Sequence, residues 1–337
     1  MKTVTLGGKL GFTLAGVLVI LGSTARGASA HDMGQATLHL SQSSRTLNQV
    51  SIEQSDGYRY IDANGIPDHA TGAFPNTGNP NSIAAQSHRF RVTLTPQLAG
   101  RTTPVRPTFG VALNGVPFEP GTGEYWNRDR TSGWNYDALS GNINLGIDMH
   151  NAHVQPTGSY HYHGLPTGLL QRQSITLVGY AADGFPVYGQ YGYTDANDLS
   201  SDVVALQSSY RLRAGQRPSG PESGPGGTYD GTFVQDFEYV AGLGDLDECN
   251  GRFGVTPEYP EGIYHYTITE MFPFIPRCVK GVPDESFQHL PENPSEPGNR
   301  PGNRPEGDFE PRPEGKPPSE LPPRHHRRPP LPPPRRR

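Results

Sequence analysis

The sequence predicts a mostly β protein with a sandwich or barrel-like body, long irregular loops and a disordered, proline-rich C-terminal tail. Short runs of β-branched and aromatic residues recur through the body, and the turn signals Asn114-Gly115, Asp183-Gly184 and Asn250-Gly251 separate them. No long amphipathic helical pattern interrupts these runs. The strand-like runs are Arg89 to Leu94, Phe109 to Leu113, Ser159 to His163, Ser174 to Tyr180, Gly231 to Val240 and Ile263 to Thr269.

Residues 1 to 30 have the parts of a signal peptide. A basic start precedes an apolar stretch from Leu10 to Leu21, and Ala28-Ser29-Ala30 has the small residues that signal peptidase accepts. The apolar stretch has about 12 residues, whereas ~20 are needed to span a bilayer. We therefore expect cleavage before His31, a mature protein without a transmembrane segment, and a secreted, periplasmic or cell-surface location.

The composition changes at Pro291. Residues 291 to 337 have frequent prolines and almost no apolar side chains, so they cannot bury a core and are predicted to form an extended, disordered tail. The tail ends in a basic patch from Arg324 to Arg337. Three interpretations stay open for this patch: contact with an anionic envelope or cell-surface component, contact with the acidic body, or a solvated spacer.

The body between these segments, residues 31 to 290, is acidic. It carries 15 Lys and Arg against 26 Asp and Glu, a formal charge of −11. This charge argues against nucleic acid as a partner and is compatible with binding of cations.

The chain has two cysteines, Cys249 and Cys278. In an exported protein, an even pair with none left over predicts a single disulfide. Closing a loop of about 30 residues stabilises a fold by roughly 3 to 4 kcal/mol in the chain-entropy model. The disulfide would leave no thiolate for metal binding or nucleophilic catalysis.

A weak internal repeat relates residues 145–190 to residues 244–276. In each copy an acidic turn is followed by a loop, a Tyr-His-Tyr strand and a Phe-Pro pair. Two halves related by a pseudo-twofold axis would bring the two strands near each other. The matching segments are Asp148 to Asn151 with Asp247 to Asn250, Tyr160 to His163 with Tyr264 to Thr267, and Phe185-Pro186 with Phe272-Pro273.

The first Tyr-His-Tyr strand predicts a metal site. Alternate residues of a strand share a face, so His161 and His163 should project together while Tyr160 and Tyr162 face the other way. A hairpin return would carry His153 to the histidine face. Three neutral imidazoles suit a divalent metal, with copper and zinc as the expected ions. The alternative is a polar strand face with a structural role.

Other residues are candidates for supporting roles around this site. His265 matches His161 in the second copy and is a candidate fourth ligand if the two halves meet. The residues expected to hold the far ring nitrogens of the ligands, and so to fix their tautomers, are Asp148, His150, Asn151 and Gln155.

Several segments of the body carry the motifs of a known family. They are Gly146 to Pro166, Gly179 to Gly189, Asp247 to Cys278, Asn64 to His69 and Phe74 to Asn76. In these segments the sequence resembles the YHYH domain family of exported proteins, over most of the body and none of the tail. The resemblance implies export but no activity. Met149-His150, just before Asn151, departs from the family pattern.

Three other patterns suggest alternative sites. His31, as a free N-terminus, would offer an amine and an imidazole to copper. The stretch from Asp245 to Gly251 has the acidic residues of a calcium loop but lacks the spacing of an EF-hand, so a capped turn is the plainer interpretation. Tyr125-Trp126 and Trp134-Asn135-Tyr136 form an aromatic cluster that could stack on sugar rings.

Two functional hypotheses follow. The first is an exported metal-binding protein whose site is built on the Tyr160 to His163 strand, with a catalytic role left open. The alternative is a non-catalytic cell-envelope module that binds glycan or protein and has structural histidines. No nucleophile elbow, phosphate-binding loop or zinc-protease helix motif is present in the sequence.

Overall fold

The computed structural model describes residues 47–105 and 107–288. The predicted signal peptide, His31 and the proline-rich tail with its basic patch lie outside the described residues. Within them the chain forms β-strands and short 3-10 turns without an α-helix, which confirms the predicted mostly β fold class. No helix in this part of the chain has the length and apolar character that a membrane span requires.

The strands are short and are connected by long loops. The 3-10 turns are Trp126–Arg128, Arg130–Ser132, Val234–Asp236 and Glu285–Phe287. In chain order the strands are β1 (Val50–Ser55), β2 (Tyr58–Ala63), β3 (His88–Thr93), β4 (Thr103–Pro104), β5 (Gly110–Ala112), β6 (Pro117–Phe118), β7 (Ala152–Val154), β8 (Tyr160–Tyr162), β9 (Leu177–Ala181), β10 (Pro186–Tyr188), β11 (Tyr191–Tyr193), β12 (Val203–Ala205), β13 (Tyr210–Leu212), β14 (Ser219–Gly220), β15 (Gly224–Pro225), β16 (Phe237–Tyr239), β17 (Gly251–Gly254), β18 (Ile263–Thr267) and β19 (Cys278–Val279).

One eight-stranded sheet dominates the fold. Its strand order is β17-β18-β10-β9-β5-β6-β8-β7, and it curls into a half-barrel. Strands β1, β2 and β3 form a separate antiparallel sheet. The remaining strands form two-stranded pairs: β11 with β12, β13 with β16, β14 with β15, and β4 with β19.

The pairing pattern of the long sheet is the same from either end. At one end β7 pairs antiparallel with β8, β8 pairs parallel with β6, and β6 pairs antiparallel with β5. At the other end β17, β18, β10 and β9 repeat that sequence of pairings. Because β5 and β9 pair antiparallel in the middle, a pseudo-twofold axis passes between them.

Equivalent turns extend this symmetry to individual residues. The amides of Asp148 and Asp247 each donate to the carbonyl four residues later, at 2.8 and 2.9 Å. Asn151 and Asn250 then adopt left-handed φ angles of 56° and 53°. Asparagine tolerates this conformation better than most residues, so the acidic turn in each half ends with the same residue type for the same reason.

The observed repeat is larger than the one deduced from the sequence. Phe185-Pro186 is equivalent to Val116-Pro117, because β10 and β6 each follow an Asp-Gly or Asn-Gly turn. Phe272-Pro273 lies beyond the second half. The two Tyr-His-Tyr strands, β8 and β18, are separated by four strands. The halves therefore meet at β5 and β9, which a match between sequence segments does not predict.

The larger of two hydrophobic core clusters packs on the long sheet and is rich in aromatic residues. Tyr160, Tyr162, Phe118 and Tyr266 are all fully buried in it. The predicted disulfide between Cys249 and Cys278 is present, and it joins the turn before β17 to β19.

Candidate metal centre

Three histidines share one face of the β7–β8 hairpin. His153 and His161 are directly paired across the two strands, so their side chains point to the same face. His163 follows His161 by two residues and returns to that face. The hairpin thus brings together the three histidines that the spacing predicted as ligands.

The imidazole nitrogens converge. The Nε2 atoms of His161 and His163 are 3.0 Å apart, and those of His163 and His153 are 3.1 Å apart. The three candidate ligand atoms all lie within 4.8 Å of one another. Two nitrogens bound to one Zn²⁺ at about 2.0 to 2.1 Å would lie roughly 3 to 3.5 Å apart. Two of the three nitrogen pairs therefore have the separation expected for ligands of a single small transition-metal ion.

The hydrogen bonds behind the rings fix two of the tautomers. Nδ1 of His153 is 2.8 Å from the Leu145 carbonyl, and Nδ1 of His161 is 3.3 Å from the Ser159 carbonyl. A carbonyl can only accept, so both Nδ1 atoms carry the proton and both Nε2 atoms present lone pairs to His163. If Nε2 of His163 carries a proton, it can donate a hydrogen bond to His153 or to His161, but not to both at once. A cation between the rings would instead attract all three nitrogens.

Burial keeps the cluster neutral. His161 and His163 are 2% and 3% exposed, whereas His153 is partly buried. Burial lowers the pKa of His153 and of His161 from 6.5 to about 4. Burial, together with the two neighbouring imidazoles, lowers the pKa of His163 well below its ordinary value. Neutral imidazole is the metal-binding form, so the site is suited to a cation without prior proton loss.

A buried carboxyl group lies beside the cluster. Oε2 of Glu119, just after β6, is 3.8 Å from Nε2 of His161 and accepts a 2.7 Å hydrogen bond from the Gln155 side chain. Burial raises the pKa of Glu119 to about 7, although the Gln155 hydrogen bond opposes that rise. Because its low pKa leaves His161 neutral near pH 7, His161 and Glu119 do not form a salt bridge. Glu119 can exchange a proton near neutral pH.

Glu119 was not among the residues predicted for the site, because it comes from a distant part of the chain and reaches the histidines just after β6. A signal was nevertheless present. Asn114-Gly115-Val116-Pro117-Phe118 repeats the pattern of Asp183-Gly184-Phe185-Pro186-Val187, and both segments are followed by a polar residue, Glu119 and Tyr188. Recognising that repeat would have placed Glu119 on the strand next to β8.

Most of the residues predicted to support the ring nitrogens have other partners. Asp148 accepts hydrogen bonds from the amides of Gly72 and His150 and from the Tyr160 hydroxyl, because it closes the turn before β7. Asn151 donates to the Leu165 carbonyl. These two side chains therefore make their hydrogen bonds away from the histidine rings, and backbone carbonyls lie behind the rings of His153 and His161.

His150 and Gln155 also differ from the prediction. Nδ1 of His150 is 2.6 Å from the Thr167 hydroxyl, and its ring packs on His69 at 4.1 Å, away from the three-histidine cluster. Gln155 does reach the site, but it holds Glu119 rather than a histidine ring. Its influence on the cluster is therefore indirect.

The structure does not bring His265 to the cluster. It lies on β18 in the other half, where its Nδ1 is 3.1 Å from the Ile263 carbonyl and its ring packs edge-on against Tyr188. The pseudo-twofold axis places the two equivalent strands apart in the sheet, so His265 does not stand beside the three histidines. In that half Arg252 stands opposite His265, where His153 stands opposite His161.

The tyrosines of β8 face away from the histidines, as the alternation predicted. Tyr160 donates to Asp148 at 2.8 Å, and the Tyr162 hydroxyl is 2.6 Å from Nε2 of His69 and 3.0 Å from the Asn114 side-chain nitrogen. Both tyrosines are buried in the core. The strand therefore has an aromatic structural face and a histidine face.

The fold and site together define a class: an all-β protein with a buried cluster of three histidines on a strand hairpin. A family model described as "YHYH protein" matches residues 89–281, more than half of the chain. The chain therefore belongs to the YHYH protein family. No curated protein and no solved structure matches the chain.

Proposed function

We propose that this YHYH protein is an exported metal-binding protein in which His153, His161 and His163 hold one zinc or copper ion. The observation that carries the proposal is the convergence of three neutral imidazole nitrogens at 3.0 and 3.1 Å inside the fold. Export is supported by the signal-peptide pattern and by the Cys249–Cys278 disulfide, which suits an oxidising compartment.

Glu119 gives the proposed site a group for proton transfer. A metal ion bound by three imidazoles would polarise a small ligand such as water at an open position. Glu119 would accept or return the proton there, because its carboxyl group lies 3.8 Å from Nε2 of the ligand His161. Gln155 holds the carboxyl group in place. Whether the site is catalytic depends on that open position.

Metal analysis of the secreted form, purified without a histidine tag, tests the proposal. The native protein should hold one zinc or copper ion per chain, and the double variant His161→Ala, His163→Ala should hold none. The matched control is His265→Ala, because His265 is equivalent to His161 and is as deeply buried, at 3% against 2% exposure. A native protein that stays metal-free after incubation with both ions would overturn the proposal, as would a double variant that keeps its metal.

A further inference from the structure

A cavity of about 530 Å³ opens in the loops near the histidine end of the long sheet. This volume lies in the range of small-molecule sites. Its walls combine aromatic rings, amides, one carboxylate and two guanidinium groups, contributed chiefly by Glu124, Tyr125, Asn127, Arg128, Arg130 and Tyr136.

The cavity neighbours the three-histidine cluster without sharing a residue with it. Ile143 lines the cavity, and two residues later Leu145 accepts the hydrogen bond from His153. Glu124 also lines the cavity, and its charge favours the protonated form of His153, against the effect of burial. His153 is the partly buried member of the cluster. Two of the residues that line the cavity are therefore linked to His153, Ile143 through the neighbouring chain and Glu124 through its charge.

The two arginines of the cavity are available to an anion. Arg128 and Arg130 are exposed, and neither forms a salt bridge with a described residue. By contrast, Arg217 and Arg277 are each paired with a buried aspartate. In a body with a formal charge of −11, two unpaired guanidinium groups on one cavity wall form a local cationic site.

The loop that presents these side chains has an unusual backbone. Asn127 and Arg128 both have left-handed φ angles, 56° and 59°. Arginine rarely adopts this conformation. Arg128, within this turn, is one of the residues that line the cavity. Arg130 lies over the Tyr125 ring at 5.8 Å, and Tyr136, whose ring packs against Phe233 at 4.6 Å, is the second tyrosine of the lining.

We propose that this cavity binds a short acidic saccharide, meaning pyranose rings that carry a carboxylate or sulfate group. Tyrosine rings stack on the apolar faces of sugars. Guanidinium groups form charge-assisted, often bidentate, hydrogen bonds with carboxylate or sulfate oxygens. The Asn127 amide and the Glu124 carboxylate can bind the ring hydroxyls. The volume accommodates about two sugar rings, and the acidic body disfavours a long polyanion.

Calorimetric titration of the mature chain tests this assignment with defined probes. The acidic probes are trigalacturonate and a sulfated chondroitin disaccharide, and the neutral probe is the trimethyl ester of trigalacturonate. At least one acidic probe should bind, and the neutral probe should bind at least tenfold more weakly than trigalacturonate if the carboxylate is recognised. Because both acidic probes carry a carboxylate, binding of trigalacturonate assigns the recognised group as the carboxylate, whereas binding of the chondroitin disaccharide alone assigns it as the sulfate.

Variants test the location. The double variant Arg128→Gln, Arg130→Gln should weaken binding of the acidic probe at least tenfold, and Tyr125→Leu should weaken it separately. Arg101→Gln is the matched control, since Arg101 is exposed and lies outside the cavity. Failure of both acidic probes to bind, or unchanged binding by the double variant, overturns the assignment.

The assignment does not rest on the proposed metal. The titrations are run on chelator-treated protein and on protein incubated with zinc, and binding is expected in both forms. A native protein that takes up neither zinc nor copper but binds an acidic probe would refute only the metal proposal. A metal-loaded protein that binds neither acidic probe would refute only the cavity assignment.

Discussion

His88 on β3 is buried, and no hydrogen bond to a described residue compensates for the burial of its ring nitrogens. It is 4% exposed, and neither ring nitrogen has a hydrogen-bond partner among the described residues. Leaving a buried polar group unsatisfied costs about 1 to 3 kcal/mol. Leucine has a similar size and no polar atom. We therefore expect His88→Leu to raise the free energy of unfolding by about 1 to 3 kcal/mol at pH 7.

The same substitution should change the pH dependence of stability. Burial lowers the pKa of His88 from 6.5 to about 4. Between these pH values the unfolded chain binds a proton that the folded chain excludes, so stability is full above about pH 6.5 and falls on acidification. By linkage, one such histidine costs about 2 kcal/mol between pH 7 and pH 5. His88→Leu should remove that loss.

Urea unfolding at pH 7 and pH 5 measures both effects. His265→Leu is the matched control, because the pKa of His265 is also lowered to about 4 but its Nδ1 contacts the Ile263 carbonyl. The control should lose the same acid sensitivity of about 2 kcal/mol without gaining stability at pH 7. If His88→Leu is no more stable than the native protein at pH 7, His88 has a partner. If the acid loss is unchanged, His88 is not held neutral.

Three further predictions concern the site and its frame. Glu119→Gln keeps the shape of the side chain but removes its charge, and we expect metal affinity to fall about 10- to 100-fold in a chelator competition assay. Replacing Cys249 and Cys278 by serine opens a loop with a separation of 29 residues, and should lower the free energy of unfolding by about 3 to 4 kcal/mol in urea; an unchanged midpoint would contradict this. Asp148→Asn should destabilise the protein by about 1 to 3 kcal/mol in thermal unfolding, because it weakens three charge-assisted hydrogen bonds.

The features predictable from the sequence are those encoded locally. The side-chain period of two on a strand places His161 and His163 on one face, and a short hairpin brings His153 to it. The disulfide was predicted by counting the cysteines of a chain that was expected to be exported. In each case the inference needed only neighbouring residues or a composition rule.

The features that the sequence analysis missed depend on strand order. His265 and His161 occupy matching positions in the two halves of the chain and of the sheet. The pseudo-twofold axis, however, places their strands apart, with four other strands between them. Glu119 looks unrelated to His161, yet β6 is the direct neighbour of β8. Which strands become neighbours is decided by packing of the whole sheet, and a pattern within one segment carries no information about it.

Strand β7 is the outermost strand at the histidine end of the long sheet, and β17 is the outermost strand at the other end. A terminal strand has one bonded neighbour, so it opens first in local fluctuations. Cys249, just before β17, anchors its end covalently to β19. A metal ion shared by His153 and His161 would clamp β7 to β8. The two ends of one sheet would then be fastened by different chemistry, one released by reduction and the other by chelation.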